Sequence, residues 1–141
     1  MRTDPAGHEA VEHTADLAVR AWAPDLAGLI EQAARGMLEL LVEAPAEADG
    51  CAEVTAEGQD AEELLVDCLR EILALWTVER RLPVSVAVTE LSDRRVVCEV
   101  GVVELAKGGL APDEEIKAVT YHGVEIVRTE GRLEVTVVFD V

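Results

Sequence analysis

The chain has 141 residues, half of them apolar and only 3% aromatic, with 29 acidic against 12 basic side chains and a formal charge of −17. That length fits one domain, expected to run over residues 1–141, and the apolar fraction excludes a disordered chain. The charge opposes strong direct binding to a nucleic-acid backbone, which relies on clustered Lys and Arg, and no apolar run approaches the roughly 20 residues that span a bilayer.

The opening MRTDPAGHEA has no apolar leader core, so a cytoplasmic chain is expected. EHTAD (12–16) then places Glu12, His13 and Asp16 at the mouth of the first predicted strand, LAVRAWA (17–23). APDLAGLIEQAARGMLELLV (23–42) follows, with apolar steps of three and four residues that predict an amphipathic helix. GQDAEELLVDCLREILALWT (58–77) repeats that pattern at an offset of 35 residues. Asp25 aligns with Asp60, Leu29 with Leu64, Met37 with Ile72 and Leu41 with Trp76. Each copy opens with an Asp suited to an N-cap, and each follows a strand, the second being CAEVTAE (51–57). Two copies of a strand-helix unit do not make a solenoid, so a common surface must cover both helices.

The rest of the chain predicts that surface as strands: LPVSVAVTEL (82–91), RVVCEVGVVEL (95–105), EIKAVTYH (115–122), VEIVRT (124–129) and RLEVTVVFD (132–140). SDRR (92–95) and TEGR (129–132) suit hairpin turns, and AKGGLAPDE (106–114) reads as a loop. The expected fold class is α+β, two helices packed on a largely antiparallel sheet. Cys51, Cys68 and Cys98 lie far apart in sequence with no CxxC pair, so neither a zinc site nor a disulfide framework is expected. Cys68, among leucines, reads as a small core residue.

In the last strand, Leu133, Val135, Val137 and Phe139 share one face and Glu134, Thr136, Val138 and Asp140 the other. Phe139 is expected to anchor the core. Asp140 beside the terminal carboxylate of Val141 offers two carboxylates of the kind that hold hard cations. On the residues alone, a solvated strand end suits Asp140 better, a turn or cap suits Asp16, and a hydrogen-bonded turn histidine suits His13. Lys117 is one of only two lysines, with Lys107, and suits a carboxylate, a phosphate or a partner; a plain surface ion pair is the simpler role. Tyr121 and His122 are packing residues with polar tips, or partner contacts. No GxGxxG, P-loop, HExxH or GxSxG pattern occurs, and no nucleophile stands beside its base.

EHTAD, LLVD (64–67), KAVTYHG (117–123) and the final FDV together resemble the archease family, in order and over nearly the whole chain from about residue 8. The resemblance implies an archease-like fold with an inserted strand-helix-strand-strand module. It implies a non-enzymatic accessory protein that promotes guanylylation and turnover of an RtcB-type RNA ligase in tRNA splicing or RNA repair. It implies a divalent cation, calcium first with magnesium or manganese as alternatives, held by Asp16, Asp140 and Val141 with His13 as a neighbouring candidate. Lys117 matches a lysine needed for activity. The segment before EIKAVTYHG is shorter here than in many members, which leaves open whether it supplies a ligand, with Asp113, Glu114 or Glu115 as candidate substitutes. Competing readings are a modulator or chaperone of a tRNA methyltransferase, and a small metal-dependent hydrolase using His13, Asp16 and Asp140.

Overall fold

A computed structural model describes residues 5–13, 16–41, 47–104, 116–121 and 123–141, with the side chains of Glu12, His13 and Asp16 outside the description. The elements in chain order are β1 (Gly7–His13), β2 (Asp16–Ala23), α1 (Leu26–Leu41), β3 (Gly50–Glu57), α2 (Ala61–Thr77), β4 (Arg81–Leu91), β5 (Arg95–Glu104), β6 (Ala118–Val119), β7 (Val127–Thr129) and β8 (Arg132–Asp140). The fold class is α+β, as the sequence predicts. The strands divide over two antiparallel sheets. One is five-stranded, ordered β1-β2-β8-β6 with β7 also paired to β8, and the other is three-stranded, ordered β3-β5-β4. The stretch β3-α2-β4-β5 is the inserted strand-helix-strand-strand module.

The 35-residue echo is visible in the packing. Each helix turns the same aligned positions inward: Leu29, Ile30, Met37 and Leu41 from α1, and Leu64, Leu65, Ile72 and Trp76 from α2 are all buried. Both expected caps form. Gly28 N–H donates to Asp25 Oδ1 at 2.7 Å, and Glu63 N–H donates to Asp60 Oδ1 at 2.8 Å, which satisfies amides that a helix start otherwise leaves unpaired. The first helix packs on β2, β1 and β8 and also touches β4, whereas α2 packs on the three-stranded sheet and reaches β6. Both sheets therefore contribute to one buried cluster, in which Phe139 is fully covered as expected. Helix α1 lies so close to β2 that any side chain at Gly36 would collide with Val19. Among the described residues, no helix is long and apolar enough to cross a membrane.

Three features differ from the sequence expectation. β1 is a strand that the sequence did not advertise. His8, Glu9 and Glu12 break any apolar alternation, and the pairing with β2 forms it. The segments at 115–122 and 124–129 yield only the short strands β6 and β7. Both pair with one edge of β8, β7 at its start and β6 at its end. Between them the chain leaves the sheet at Gly123, whose φ is +68, with Val124 N–H donating to the Tyr121 carbonyl at 3.2 Å. The loop at 106–114 lies outside the described residues. The TEGR turn forms as expected, with Glu130 and Gly131 both at positive φ, the geometry of a tight two-residue hairpin.

The face of the five-stranded sheet away from the helices is bound by charge. Arg20 on β2 reaches Glu9 on β1 at 3.1 Å and Glu134 on β8 at 2.8 Å, and Arg132 also reaches Glu134. Both guanidinium groups lie over the Trp22 ring, 5.2 and 5.4 Å from its centroid. Partial burial pushes the Glu134 carboxyl up, but the two arginines outweigh it and hold it below its ordinary value. In the other sheet, β4 is an outer strand. It carries Pro83 and two register shifts, between Pro83 and Ser85 and between Val88 and Glu90. Its Val88 N–H donates sideways to the Glu31 carboxylate of α1 at 2.8 Å.

Truncating Phe139→Ala should destabilise the chain by about 3–5 kcal/mol, and Asp60→Ala by about 1 kcal/mol. Urea unfolding followed by circular dichroism checks both, with Phe139→Ala expected to cost the more.

Candidate functional site

Three stretches of backbone converge at one end of the five-stranded sheet. β1 and β2 meet at the pair His13 and Asp16. Antiparallel pairing of β2 with β8 reaches Leu17 opposite Phe139, so one step further along both strands lie Asp16 and Asp140. On the other edge of β8, Ala118 pairs with Asp140, and Lys117 N–H donates to the Asp140 carbonyl at 2.8 Å. Asp16, Lys117 and the consecutive pair Asp140 and Val141 thus come together from three distant parts of the sequence, at the ends of three adjacent strands.

The exposures follow from the strand period. Ile116 and Val119 are buried and hold the segment down, while Lys117 between them is exposed. Phe139 is buried and Asp140 and Val141 are exposed. The donors at this end are carboxylate and main-chain oxygens, the hard-ligand chemistry that suits Ca2+, Mg2+ or Mn2+ and not a soft metal. Among the described residues, no three His, Cys, Asp or Glu side chains form a cluster able to hold a metal. The side chains of Asp16 and His13 lie outside the described residues, and so do Asp113, Glu114, Glu115 and His122.

A second constellation, which sequence reasoning missed, ties helix α2 to the segment that carries β6 and Tyr121. Tyr121 donates its hydroxyl to Asp67 Oδ1 on α2 at 2.6 Å. Arg70, one turn on, lies over the Tyr121 ring at 4.3 Å, donates its Nε–H to the Val119 carbonyl at 3.0 Å, and approaches Asp67 Oδ1 at 3.6 Å. Helix α2 thereby grips the stretch that carries Lys117, at one side of a shallow groove of about 320 Å3 lined by Arg70, Leu73, Thr77 and Lys117. Asp67 closes the LLVD segment and Tyr121 lies within KAVTYHG. The contact between them joins physically two motif segments that lie 54 residues apart. Their i, i+3 spacing on α2 put Asp67 and Arg70 on one helix face; nothing in the sequence showed which strand that face meets. Tyr121, a candidate partner contact, has its hydroxyl committed to Asp67.

A family model described as the Archease protein family matches residues 8–141. A protein archease from Methanopyrus kandleri is 37% identical over 131 residues, covering 88% of this chain and 91% of its own length. One from Thermococcus gammatolerans is 35% identical over 124 residues, covering 84% and 86%. Among solved structures, the solution structure of protein 1598 from Methanobacterium thermoautotrophicum matches with a TM-score of 0.71 and 29% identity, over 96% of this chain and 99% of that one. The crystal structure of a Thermotoga maritima archease, described as a possible chaperone, matches in fold with a TM-score of 0.64 at 22% identity, over 100% and 98% of the two chains.

Tyr121 is the single tyrosine of the chain, so its titration can be read directly from tyrosinate absorbance. Partial burial and then the hydrogen bond to the Asp67 carboxylate raise its hydroxyl to about 12. The fold favours the protonated phenol. Its contribution to stability is therefore complete below the unfolded value of about 10 and is lost as pH rises through the folded value. Asp67→Asn should move the absorbance midpoint back toward about 10, and an unmoved midpoint would show that Asp67 does not hold the ring.

Proposed function

The chain belongs to the archease family, and from that premise we propose that it is a metal-binding accessory protein, not itself an enzyme, that activates an RtcB-type RNA ligase. It promotes guanylylation and turnover of the ligase in tRNA splicing or RNA repair, and it does so in the cytoplasm. The observation that carries this reading is the convergence of Asp16, Asp140, Val141 and Lys117 at one end of the five-stranded sheet. Asp16 and Asp140 through their carboxylates, Val141 through its main-chain oxygens, and His13 nearby would hold a divalent cation, calcium first. Such an ion would join the carboxylates of two strands and place a cationic centre on a strongly acidic surface. Lys117 is exposed beside Asp140, where it is free to contact the ligase.

The charge fits the partner. An enzyme that binds RNA and a nucleoside triphosphate presents a cation-rich cleft, and a chain of charge −17 is drawn to such a cleft and kept off the RNA itself. A chaperone-like role toward another partner, such as a tRNA methyltransferase, takes its support from the Thermotoga maritima protein described as a possible chaperone. A metal-dependent hydrolase has less support. No described nucleophile stands with a base at this end of the sheet, and the lysine there is exposed.

The decisive measurement is guanylylation of the cognate ligase with and without this chain, with the divalent metal varied. Asp16→Asn and Asp140→Asn should each weaken cation binding by roughly tenfold or more and remove stimulation while circular dichroism stays native. Lys117→Ala should remove stimulation and leave cation binding unchanged. Full stimulation by both aspartate variants would refute the site. Recovery of a methyltransferase without the ligase from the source cell would favour the chaperone reading.

A further inference from the structure

Cys68 and Cys98 lie 30 positions apart, yet their sulfurs are 3.3 Å from each other in the interior. Cys68 is on the inward face of α2 and Cys98 on the inward face of β5. Both are fully buried free thiols. Neither belongs to the oxygen-rich end of the five-stranded sheet, and no step of the accessory role uses them. We propose that this pair is an oxidation site that a small hydroperoxide converts into one intramolecular disulfide, bonding α2 covalently to the three-stranded sheet.

Disulfide sulfurs lie about 2.0 Å apart, so a pair already 3.3 Å apart has only about 1.3 Å to close. The pair is also asymmetric. Its hydrogen bond pushes the Cys68 thiol up, with burial adding to the rise, and lowers Cys98 against the opposing effect of burial. Either sulfur can donate the S–H to the other, and the lowering of Cys98 marks it as the sulfur that more readily becomes thiolate, the nucleophilic form.

The Cys98 thiolate attacks one oxygen of the hydroperoxide, the O–O bond breaks, and the released alkoxide or hydroxide takes a proton, leaving a sulfenic acid. The Cys68 sulfur then attacks the Cys98 sulfur, the S–O bond breaks and water leaves. Two thiols have lost two electrons and two protons, and the peroxide has been reduced to water and an alcohol, or to two waters. A second thiol already in contact captures the sulfenic acid before a further oxygen is added. Cys51 is exposed and competes for the oxidant, with its hydrogen bond to Glu99, and then burial, pushing its thiol up, so the test removes it. Burial of the pair makes the reaction slow and restricts it to small neutral oxidants.

The bond would matter beyond stability. Cys68 follows Asp67 and precedes Arg70 by one turn-half, and these two residues grip Tyr121 and Val119. A covalent link at Cys68 fixes the stretch of helix that positions β6, next to Lys117.

The test uses the full chain as Cys51→Ser, exposed to hydrogen peroxide and mapped by mass spectrometry without reduction. The expected product has lost two hydrogens, contains a single peptide linking Cys68 to Cys98, returns to the dithiol with dithiothreitol, and shows a Tm raised by about 10 °C. Cys68→Ala and Cys98→Ala should each abolish the linked peptide while keeping native circular dichroism. Oxygen adducts on separate cysteines, chains linked to one another, or two thiols still reactive in denaturant after prolonged exposure would each overturn the proposal.

Discussion

The ladder between β2 and β8 is the constraint on which the rest depends. Its register is fixed by burial, since Val19 and Ala21 must face the same core as Val135, Val137 and Phe139. A slip of one residue would turn Phe139 out to water and expose a row of apolar side chains. The same register sets Asp16 beside Asp140. The candidate site therefore inherits its precision from hydrophobic packing several residues away. A polar cluster on a free loop has no such guarantee, which is one reason for building sites on paired strands.

Much of this arrangement was legible in the sequence. Helix positions repeat at 35 residues, and the two aspartates that begin the repeats both cap, because amphipathic periodicity and capping are local effects that a local pattern records. The alternation in RLEVTVVFD correctly assigned Phe139 to the core and Asp140 to the surface for the same reason. β1 was illegible because its side chains do not alternate in polarity; a partner strand makes it a strand. The brevity of β6 and β7 was equally hidden. Both needed the same edge of β8, and a shared edge is a property of topology, not of either segment. The meeting of Cys68 with Cys98 and of Asp67 with Tyr121 belongs to the same class, long-range contacts that no spacing announces.

Helix α2 links the two halves of the molecule. Its apolar face is committed to the three-stranded sheet, yet Asp67 and Arg70 on its flank hold the strand that borders β8. The inserted module therefore has a mechanical role toward the parent sheet as well as a core of its own. Motif residues in LLVD and KAVTYHG meet through this bridge, so these segments combine an exposed group, Lys117, with groups that hold its neighbours in place. Asp67 belongs to the second kind, and substitutions there would act on function through position.

The treatment of β4 has a consequence for assembly. An outer strand offers a row of amides and carbonyls to any passing extended chain. Here proline removes one amide, two register shifts bend the rim, and Glu31 occupies the Val88 amide. Strand addition along that border is obstructed, which limits open-ended growth into fibrils. Recognition by other macromolecules at this margin must then proceed through side chains and not through backbone pairing.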